Sequence, residues 1–184
     1  WQPRVAANIN QFINTYIHRR IVNFDSLSDG EYDAFVVGSD QVWRPSYNHH
    51  IKNAFLGFAE NWKNVKRIAY AASFGVDNWE FTEEQTDECK KLIQKFDFVS
   101  VREDTAVNLC KEQLGIVATH VLDPTMLLSV DNYQKLIGEL KISDKPYLFS
   151  YLLDESKEKI NILKDICNKL NLPVRKIKLE NDIS

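Results

Sequence analysis

The chain has 184 residues, of which 44% are hydrophobic and 27% are charged, a balance typical of a soluble globular protein with a sizeable core. Its formal net charge is −3, which excludes a general nucleic-acid binder because such a protein needs a basic face to neutralise phosphates. No apolar run approaches the roughly 20 residues that cross a bilayer, and no signal peptide is recognised.

The three cysteines, Cys89, Cys110 and Cys167, lie far apart in the chain. They form no CxxC pair and no spacing with histidine that suits zinc. Each lies on the apolar stripe of a predicted helix, where a thiol packs as a small hydrophobic group. Reduced buried thiols are typical of a reducing compartment, so we expect a cytoplasmic protein.

The hydrophobic pattern predicts a helix over residues 5–20 and then a series of short buried strands. The strands are apolar runs closed by glycine, charged residues or proline, at 34–37, 68–72, 98–101 and 118–122. Helices are predicted between them. Thr82 and Gln85 have the spacing of a capping box, a second helix ends at Gly115 as a left-handed cap, and a third runs from Asp131 to Leu140.

Alternating strands and helices indicate βαβ units. We therefore expect a Rossmann-like α/β fold, a parallel sheet with helices on both faces. The polar stretch 142–146 is the best linker candidate, and a strand (147–152), a helix (160–170) and a strand (173–179) follow it. This predicts a first domain at 1–142 and the start of a second Rossmann-like domain at 143–184. Neither Trp1 nor Ser184 resembles a natural terminus, so we expect further residues at both ends.

The strand ends are unusually polar. In an open parallel sheet, ligands bind beyond the carboxyl ends of the strands, where loops and helix N-termini converge. Glycines there let the backbone approach a ligand, and helix N-terminal amides attract anions. The residues that the four strand ends bring to this edge are Gly38, Ser39, Asp40 and Gln41, then Ser73 and Gly75, then Arg102 and Glu103, and last Asp123.

Each of these residues also has a purely structural explanation. Gly38 and Gly75 can close tight turns, and Arg102 can be held by Glu103 or Asp123 in an ordinary ion pair. Trp43 suits packing as well as it suits stacking on a sugar. The shared edge, rather than any single residue, favours a functional interpretation.

At the same residues the sequence resembles the polysaccharide pyruvyl transferase family. The matching segments are YDAFVVGSDQVW at 32–43, RIAYAASFG at 67–75, VSVRE at 99–103 and VLDPT at 121–125. Their order and spacing agree with the family over roughly residues 30 to 130, and GSDQVW and YAASFG are the specific strings. The family's first strand–turn–helix would precede Trp1. The resemblance implies the first domain of a two-domain arrangement like that of B-type glycosyltransferases, with the second domain truncated here.

The resemblance also implies a reaction, the transfer of pyruvate from phosphoenolpyruvate to sugar hydroxyls as a cyclic ketal on a cell-surface or exopolysaccharide glycan. No metal or cofactor is expected beyond phosphoenolpyruvate as co-substrate. The donor carries a phosphate and a carboxylate, which Arg102 suits. Acid and base are needed, and the sequence does not assign them among Asp40, Glu103 and Asp123. The expected substrate-binding residues are Gly38, Ser39, Gln41, Trp43, Ser73, Gly75 and Ser100.

Two alternatives stay open at this stage. One is a B-type glycosyltransferase with a nucleotide-sugar donor, and the other is a non-catalytic glycan-binding module. The sequence has no P-loop, no GxGxxG and no DxD-type metal pair. The expected partners are phosphoenolpyruvate and a sugar or lipid-linked glycan, with peripheral membrane association through that acceptor. The acceptor sugar, the ketal stereochemistry and the oligomeric state are not determined. We expect the fragment by itself, with half of its cleft absent, to be inactive.

Overall fold

The computed structural model describes residues 3–17, 20–137, 145–152 and 154–176. They divide into two compact units. Ile21–Leu136 forms one unit, and the described residues before and after it form the other. The predicted domain boundary between residues 142 and 143 lies outside the described residues.

The unit Ile21–Leu136 is built on a parallel sheet of four strands in the order β1-β2-β3-β4. The strands are β1 Ala34–Val37, β2 Lys66–Ala72, β3 Phe98–Val101 and β4 Thr119–His120. Each of the four predicted apolar runs is therefore a strand, and the parallel sheet is confirmed. The last strand is shorter than predicted, with two residues of the run 118–122.

The described residues contain six α-helices. They are α1 Pro3–Phe12, α2 Ile51–Ala54, α3 Glu83–Ile93, α4 Asp104–Leu109, α5 Val130–Ile137 and α6 Lys157–Leu170. The first predicted helix, 5–20, is α1 followed by a π-helical turn at Ile13–Ile17. The helix predicted from Asp131 begins one residue earlier, and its predicted end at Leu140 lies outside the described residues.

Local sequence signals explain where α3 begins and where the helix that starts as α4 ends. Thr82 Oγ1 accepts a hydrogen bond from the Gln85 amide, and Gln85 Oε1 accepts one from the Thr82 amide, which confirms the capping box. The helix that starts as α4 continues through a π-turn at Cys110–Leu114. It ends at Gly115, whose φ of 69° is the left-handed conformation that favours glycine.

The core of this unit lies on one face of the sheet. Ala69, Val99 and Val101 pack there in a single buried cluster with the inner faces of α3 and α4. On the opposite face, Val36 and Phe98 lie in one row through Ile68 and are 64% and 48% exposed. The helices that connect the strands, α2, α3 and α4, all contribute side chains to the cluster on the buried face. Sequential strand order explains this, because successive right-handed crossovers all pass over the same face. Helices on the opposite face stay a prediction.

An aromatic cluster extends this core toward the carboxyl ends of the strands. Trp43 stacks on Phe55 and contacts Phe74, and Trp79 stacks on Phe81. Aromatic pairs of this geometry contribute about 0.5–1.5 kcal/mol each beyond the area that they bury. The cluster therefore gives the loops that follow β1 and β2 a rigid base.

The other unit contains a small βαβ arrangement. Strands β5 Leu148–Ser150 and β6 Val174–Lys176 pair in parallel, with α6 between them in the chain. Ser156 caps α6 through a hydrogen bond from the Lys159 amide to its hydroxyl. The predicted strand, helix and strand are all present, and residues 177–179 of the last predicted strand lie outside the described residues.

None of the helices in the described ranges is long and apolar enough to cross a membrane.

Candidate functional site

Arg102 lies where the loops that follow the four strands of the larger unit converge. Its Nε donates to Glu103 Oε1 at 3.2 Å, and its Nη1 donates to Asp123 Oδ2 at 3.1 Å. Its Nη2 is 4.0 Å from Asp40 Oδ1. Partial burial acts to lower the pKa of Arg102, but the hydrogen bonds to Asp123 and Glu103 and the charges of these carboxylates together outweigh it and raise the pKa. One guanidinium therefore joins the loops after β1, β3 and β4.

Asp123 is anchored from several sides. Its Oδ1 accepts from the Thr125 amide at 3.0 Å and from the Thr125 hydroxyl at 2.8 Å. These two bonds, followed by the one from Arg102, lower the pKa of Asp123 to about 2, and the Ser39 hydroxyl adds to the effect. Asp123 is therefore ionised at neutral pH, which suits an anchor for Arg102.

Glu103 connects the loops after β2 and β3. Its Oε1 accepts from the Ser73 hydroxyl at 2.7 Å, and that hydroxyl accepts from the Gly75 amide at 3.0 Å. The second oxygen, Oε2, is buried and has no hydrogen-bond partner among the described residues. A buried polar atom without a partner requires an explanation. Among the described residues, Glu103 is thus the carboxylate around Arg102 with a buried oxygen that nothing in the protein satisfies.

Asp40 differs from the other two carboxylates because its side chain is 89% exposed. Its contact with Arg102 is the longest of the three ion pairs at 4.0 Å, against 3.2 Å for Glu103 and 3.1 Å for Asp123. Exposed pairs at this distance contribute little free energy. A ligand can therefore displace Asp40 from the guanidinium at low cost.

At Gly38 and Gly75, neighbouring atoms lie too close to leave room for a side chain. Gly38 has a φ of +139°, and a Cβ there would lie 1.9 Å from the Tyr70 carbonyl oxygen. Gly75 has a φ of +71°, and a Cβ there would lie 2.2 Å from Gln41 Oε1. The structural explanation for these glycines is thus correct. At Gly75 the neighbour is the side chain of Gln41, another candidate site residue, and a role in ligand binding stays a prediction.

Of the expected substrate-binding residues, Trp43, Ser73 and Ser100 are fully buried, which corrects the expectation that their side chains face a ligand in this structure. Trp43 is 0% exposed, and its indole N–H donates to the Ala54 carbonyl at 3.0 Å. The fully buried Ser100 hydroxyl donates to the Ala69 carbonyl and accepts from the Ala71 amide, both at 3.0 Å. Of the two explanations for Trp43, packing is correct. These two bonds satisfy backbone groups of β2 at the point where its register with β3 shifts.

Sequence reasoning missed one pair of residues at this edge. Arg44 Nη1 donates to Gln41 Oε1 at 3.0 Å, and Arg44 Nε and Nη2 donate to the two oxygens of Glu80 at 3.2 and 3.3 Å. Arg44 directly follows the GSDQVW string and could have been included with it. Glu80 is 36 residues further along the chain, and no local pattern connects the two.

In the described part of the chain, no group of three or more His, Cys, Asp or Glu side chains is arranged to hold a metal ion. Asp40, Glu103 and Asp123 surround a guanidinium instead. The site is thus a ring of carboxylates around one cation, bordered by hydroxyls and by a carboxamide. Such groups can bind and orient an oxygen-rich ligand and can exchange protons with it.

The family model described as polysaccharide pyruvyl transferase matches residues 3–183, nearly the whole chain. No curated protein and no solved structure matches the chain. Since the matched range includes all four strand-end loops around Arg102, the chain belongs to the polysaccharide pyruvyl transferase family, a family of transferases.

Proposed function

We propose that this protein transfers pyruvate from phosphoenolpyruvate to two hydroxyls of a sugar, forming a cyclic ketal and releasing phosphate. The acceptor would be a cell-surface or exopolysaccharide glycan, presented as a sugar or on a lipid carrier at the cytoplasmic side of a membrane. The observation that carries this proposal is Arg102, held at the meeting point of the strand-end loops by Glu103 and Asp123.

Arg102 has the geometry to hold an oxyanion. A guanidinium has five N–H donors, and two of those of Arg102 are used in hydrogen bonds to Glu103 and Asp123. Among the described residues, its Nη2 makes only the 4.0 Å contact with the exposed Asp40. The Nη1–Nη2 side can therefore grip a phosphate or carboxylate of the donor with two parallel bonds once Asp40 moves aside.

Ketal formation also requires proton transfer. One sugar hydroxyl loses its proton as its oxygen bonds to the central carbon of the donor, while the methylene carbon gains a proton and becomes a methyl group. The phosphate then leaves with the electron pair of its C–O bond, and the second hydroxyl bonds to the same carbon and loses its proton to complete the ketal. We assign proton transfer to Glu103, whose buried Oε2 has no protein partner among the described residues and would reach the ligand after a shift of the side chain. The pKa of Asp123, about 2, suits an anchor for Arg102. Asp40 is exposed and suits contact with the acceptor.

The charge of the site supports a cleft with two walls. Three carboxylates surround Arg102, and the nearby Arg44 is neutralised by Glu80. A donor with a phosphate and a carboxylate needs more positive charge than this edge supplies. We therefore propose that a second Rossmann-like domain, in a B-type glycosyltransferase arrangement, contributes the remaining cations. The chain described here would then be one wall of the site and inactive without the facing wall.

An assay of the complete polypeptide tests the proposal. Phosphate release from phosphoenolpyruvate is measured with and without sugar acceptors, and mass spectrometry detects the ketal on the acceptor. Calorimetry with phosphoenolpyruvate and with nucleotide sugars distinguishes the alternatives. Binding and turnover of a nucleotide sugar would instead indicate a glycosyltransferase. Glycan binding without turnover of either donor would indicate a non-catalytic binding module.

A further inference from the structure

The carboxamide of Gln41 has an orientation that its neighbours determine. Its side chain lies against Gly75, in the space that a Cβ there would fill. The amide group faces Arg44, whose Nη1 lies 3.0 Å from it. Arginine has donors only, so the Gln41 atom that faces it must be the oxygen. The amide nitrogen therefore lies on the other side of the group.

Arg44 is itself held rigidly. Two hydrogen bonds join it to the carboxylate of Glu80, and the Ser46 hydroxyl donates to the same carboxylate at 2.9 Å. The ring of Tyr47 lies 4.3 Å from the guanidinium carbon. The hydrogen bond between Arg44 and Glu80 raises the pKa of Arg44 and lowers the pKa of Glu80, so both side chains stay charged. Bidentate pairing restricts the rotation of the guanidinium, and so Arg44 presents Nη1 to Gln41 in one direction.

The nitrogen of the carboxamide has no hydrogen-bond partner among the described residues. Gln41 belongs to the edge where Gly75 and the Ser73–Glu103 pair lie. We propose that Arg44 is a positioning residue, which orients Gln41 so that its amide nitrogen donates a hydrogen bond to an acceptor oxygen of the bound substrate. This inference rests on the proposed function. The oxygen can belong to the enol donor or to the sugar, since both present acceptors.

A double-mutant cycle in the complete polypeptide tests this role. Gln41→Ala, Arg44→Met and the double variant are compared in steady-state kinetics with phosphoenolpyruvate and sugar varied separately. We expect each single substitution to raise the KM of the same substrate about 10-fold, the value of one hydrogen bond, with kcat nearly unchanged. The double variant should be no worse than Gln41→Ala, because Arg44 acts through Gln41. The KM that rises identifies the donor or the sugar as the source of the oxygen.

Two further variants sharpen the result. Gln41→Glu keeps an oxygen toward Arg44 and replaces the donating nitrogen by a second acceptor, so it should raise that KM more than Gln41→Ala. Lys52→Met is the matched control, because Lys52 pairs with Glu88 over the same separation of 36 residues but is exposed and makes no contact with Gln41. It should leave both KM values unchanged. Independent, multiplicative effects of Gln41→Ala and Arg44→Met would overturn the inference.

A spectroscopic measurement separates this inference from the proposed function. The side-chain amide signals of Gln41 are assigned by their loss in Gln41→Ala and recorded without substrate. Arg44→Met should shift and broaden them, because the carboxamide then rotates, whereas Lys52→Met should not. Unchanged signals in Arg44→Met would show that Arg44 does not orient Gln41, whatever the reaction. Absence of pyruvate transfer by the unsubstituted protein would contradict the proposed function alone.

Discussion

Arg102 has one role that its contacts show and a second role that we propose. It ties the loops after β3 and β4 together through Glu103 and Asp123, and its remaining N–H groups point to a use in ligand binding. The family resemblance favoured ligand binding by Arg102, and the sequence left open the simpler explanation that Arg102 forms an ordinary ion pair. The contacts show that the ion pairs exist, and they are compatible with donor binding.

Replacement of Arg102 should therefore affect donor binding more than folding. We expect Arg102→Ala to raise the KM for phosphoenolpyruvate about 10- to 100-fold, because charge-assisted hydrogen bonds are worth about 1.5–3 kcal/mol. Arg102→Lys, which keeps the charge and loses the planar fork, should have an intermediate effect. Steady-state kinetics of the complete polypeptide and thermal unfolding measure the two effects. Unchanged donor kinetics in Arg102→Ala would remove this residue from the site.

The pKa of Asp123 predicts how stability depends on pH. The folded-state pKa of about 2 lies below the ordinary value, so the ionised carboxylate stabilises the fold above an unfolded pKa of about 3.9. That contribution should be lost as the pH falls from about 4 to about 2. Asp123→Asn should lower the Tm at pH 7 and flatten its decline over this window, as circular dichroism can measure.

Thr125 provides the control for this pH dependence. Thr125→Val removes the hydroxyl that donates to Asp123 and keeps the shape of the side chain. It should shift the midpoint of the acid decline upward, because one source of the lowered pKa is removed. An identical decline in the unsubstituted protein and in Asp123→Asn would show that Asp123 does not control acid stability.

The buried cysteines should be chemically inert in the folded protein. Burial raises the pKa of Cys89 and of Cys110 to about 12, which leaves almost no thiolate at neutral pH. Alkylation followed by mass spectrometry should modify Cys167, which is less buried, before the other two. Cys167→Ser should abolish labelling under native conditions. Rapid native labelling of Cys89 or Cys110 would contradict the packing of α3 and α4.

At the scale of the elements, the sequence predicted the bounds of a strand correctly where residues next to both of its ends mark them. Strands β1 and β3 match the predicted runs 34–37 and 98–101 residue for residue. In each case an apolar run is bounded by polar residues or glycine. Strand β4 is shorter than its apolar run because pairing requires a partner, and β3 ends at Val101. Pairing partners are not encoded locally.

The capping box of α3 allows a test at this scale. Thr82→Ala removes the acceptor of the Gln85 amide and should lower the free energy of unfolding by about 1 kcal/mol. Thr82→Ser keeps the hydroxyl and should have little effect. Urea unfolding followed by fluorescence measures both variants. Equal losses in the two would show that the methyl group of Thr82, and not its cap, stabilises the helix.

At the scale of the whole molecule, the alternation of strand-like and helix-like hydrophobic patterns was enough to predict the parallel α/β class. It was not enough to predict the distribution of helices, because only the strand order shows that the described crossovers of the larger unit lie on one face. The two-domain arrangement stays a proposal, since each of the two units is defined only by itself.

The sequence by itself determined the strands, the capped helices, the family and the edge at which polar loops meet, because these depend on residues close together in the chain. The tertiary structure alone decided that Trp43 and Ser100 are buried and that Glu80 holds Arg44 against Gln41. It alone also shows that one oxygen of Glu103 has no partner in the described part of the chain. These facts depend on side chains that folding brings together from distant positions, and a pattern of local periodicity contains no information about such pairs.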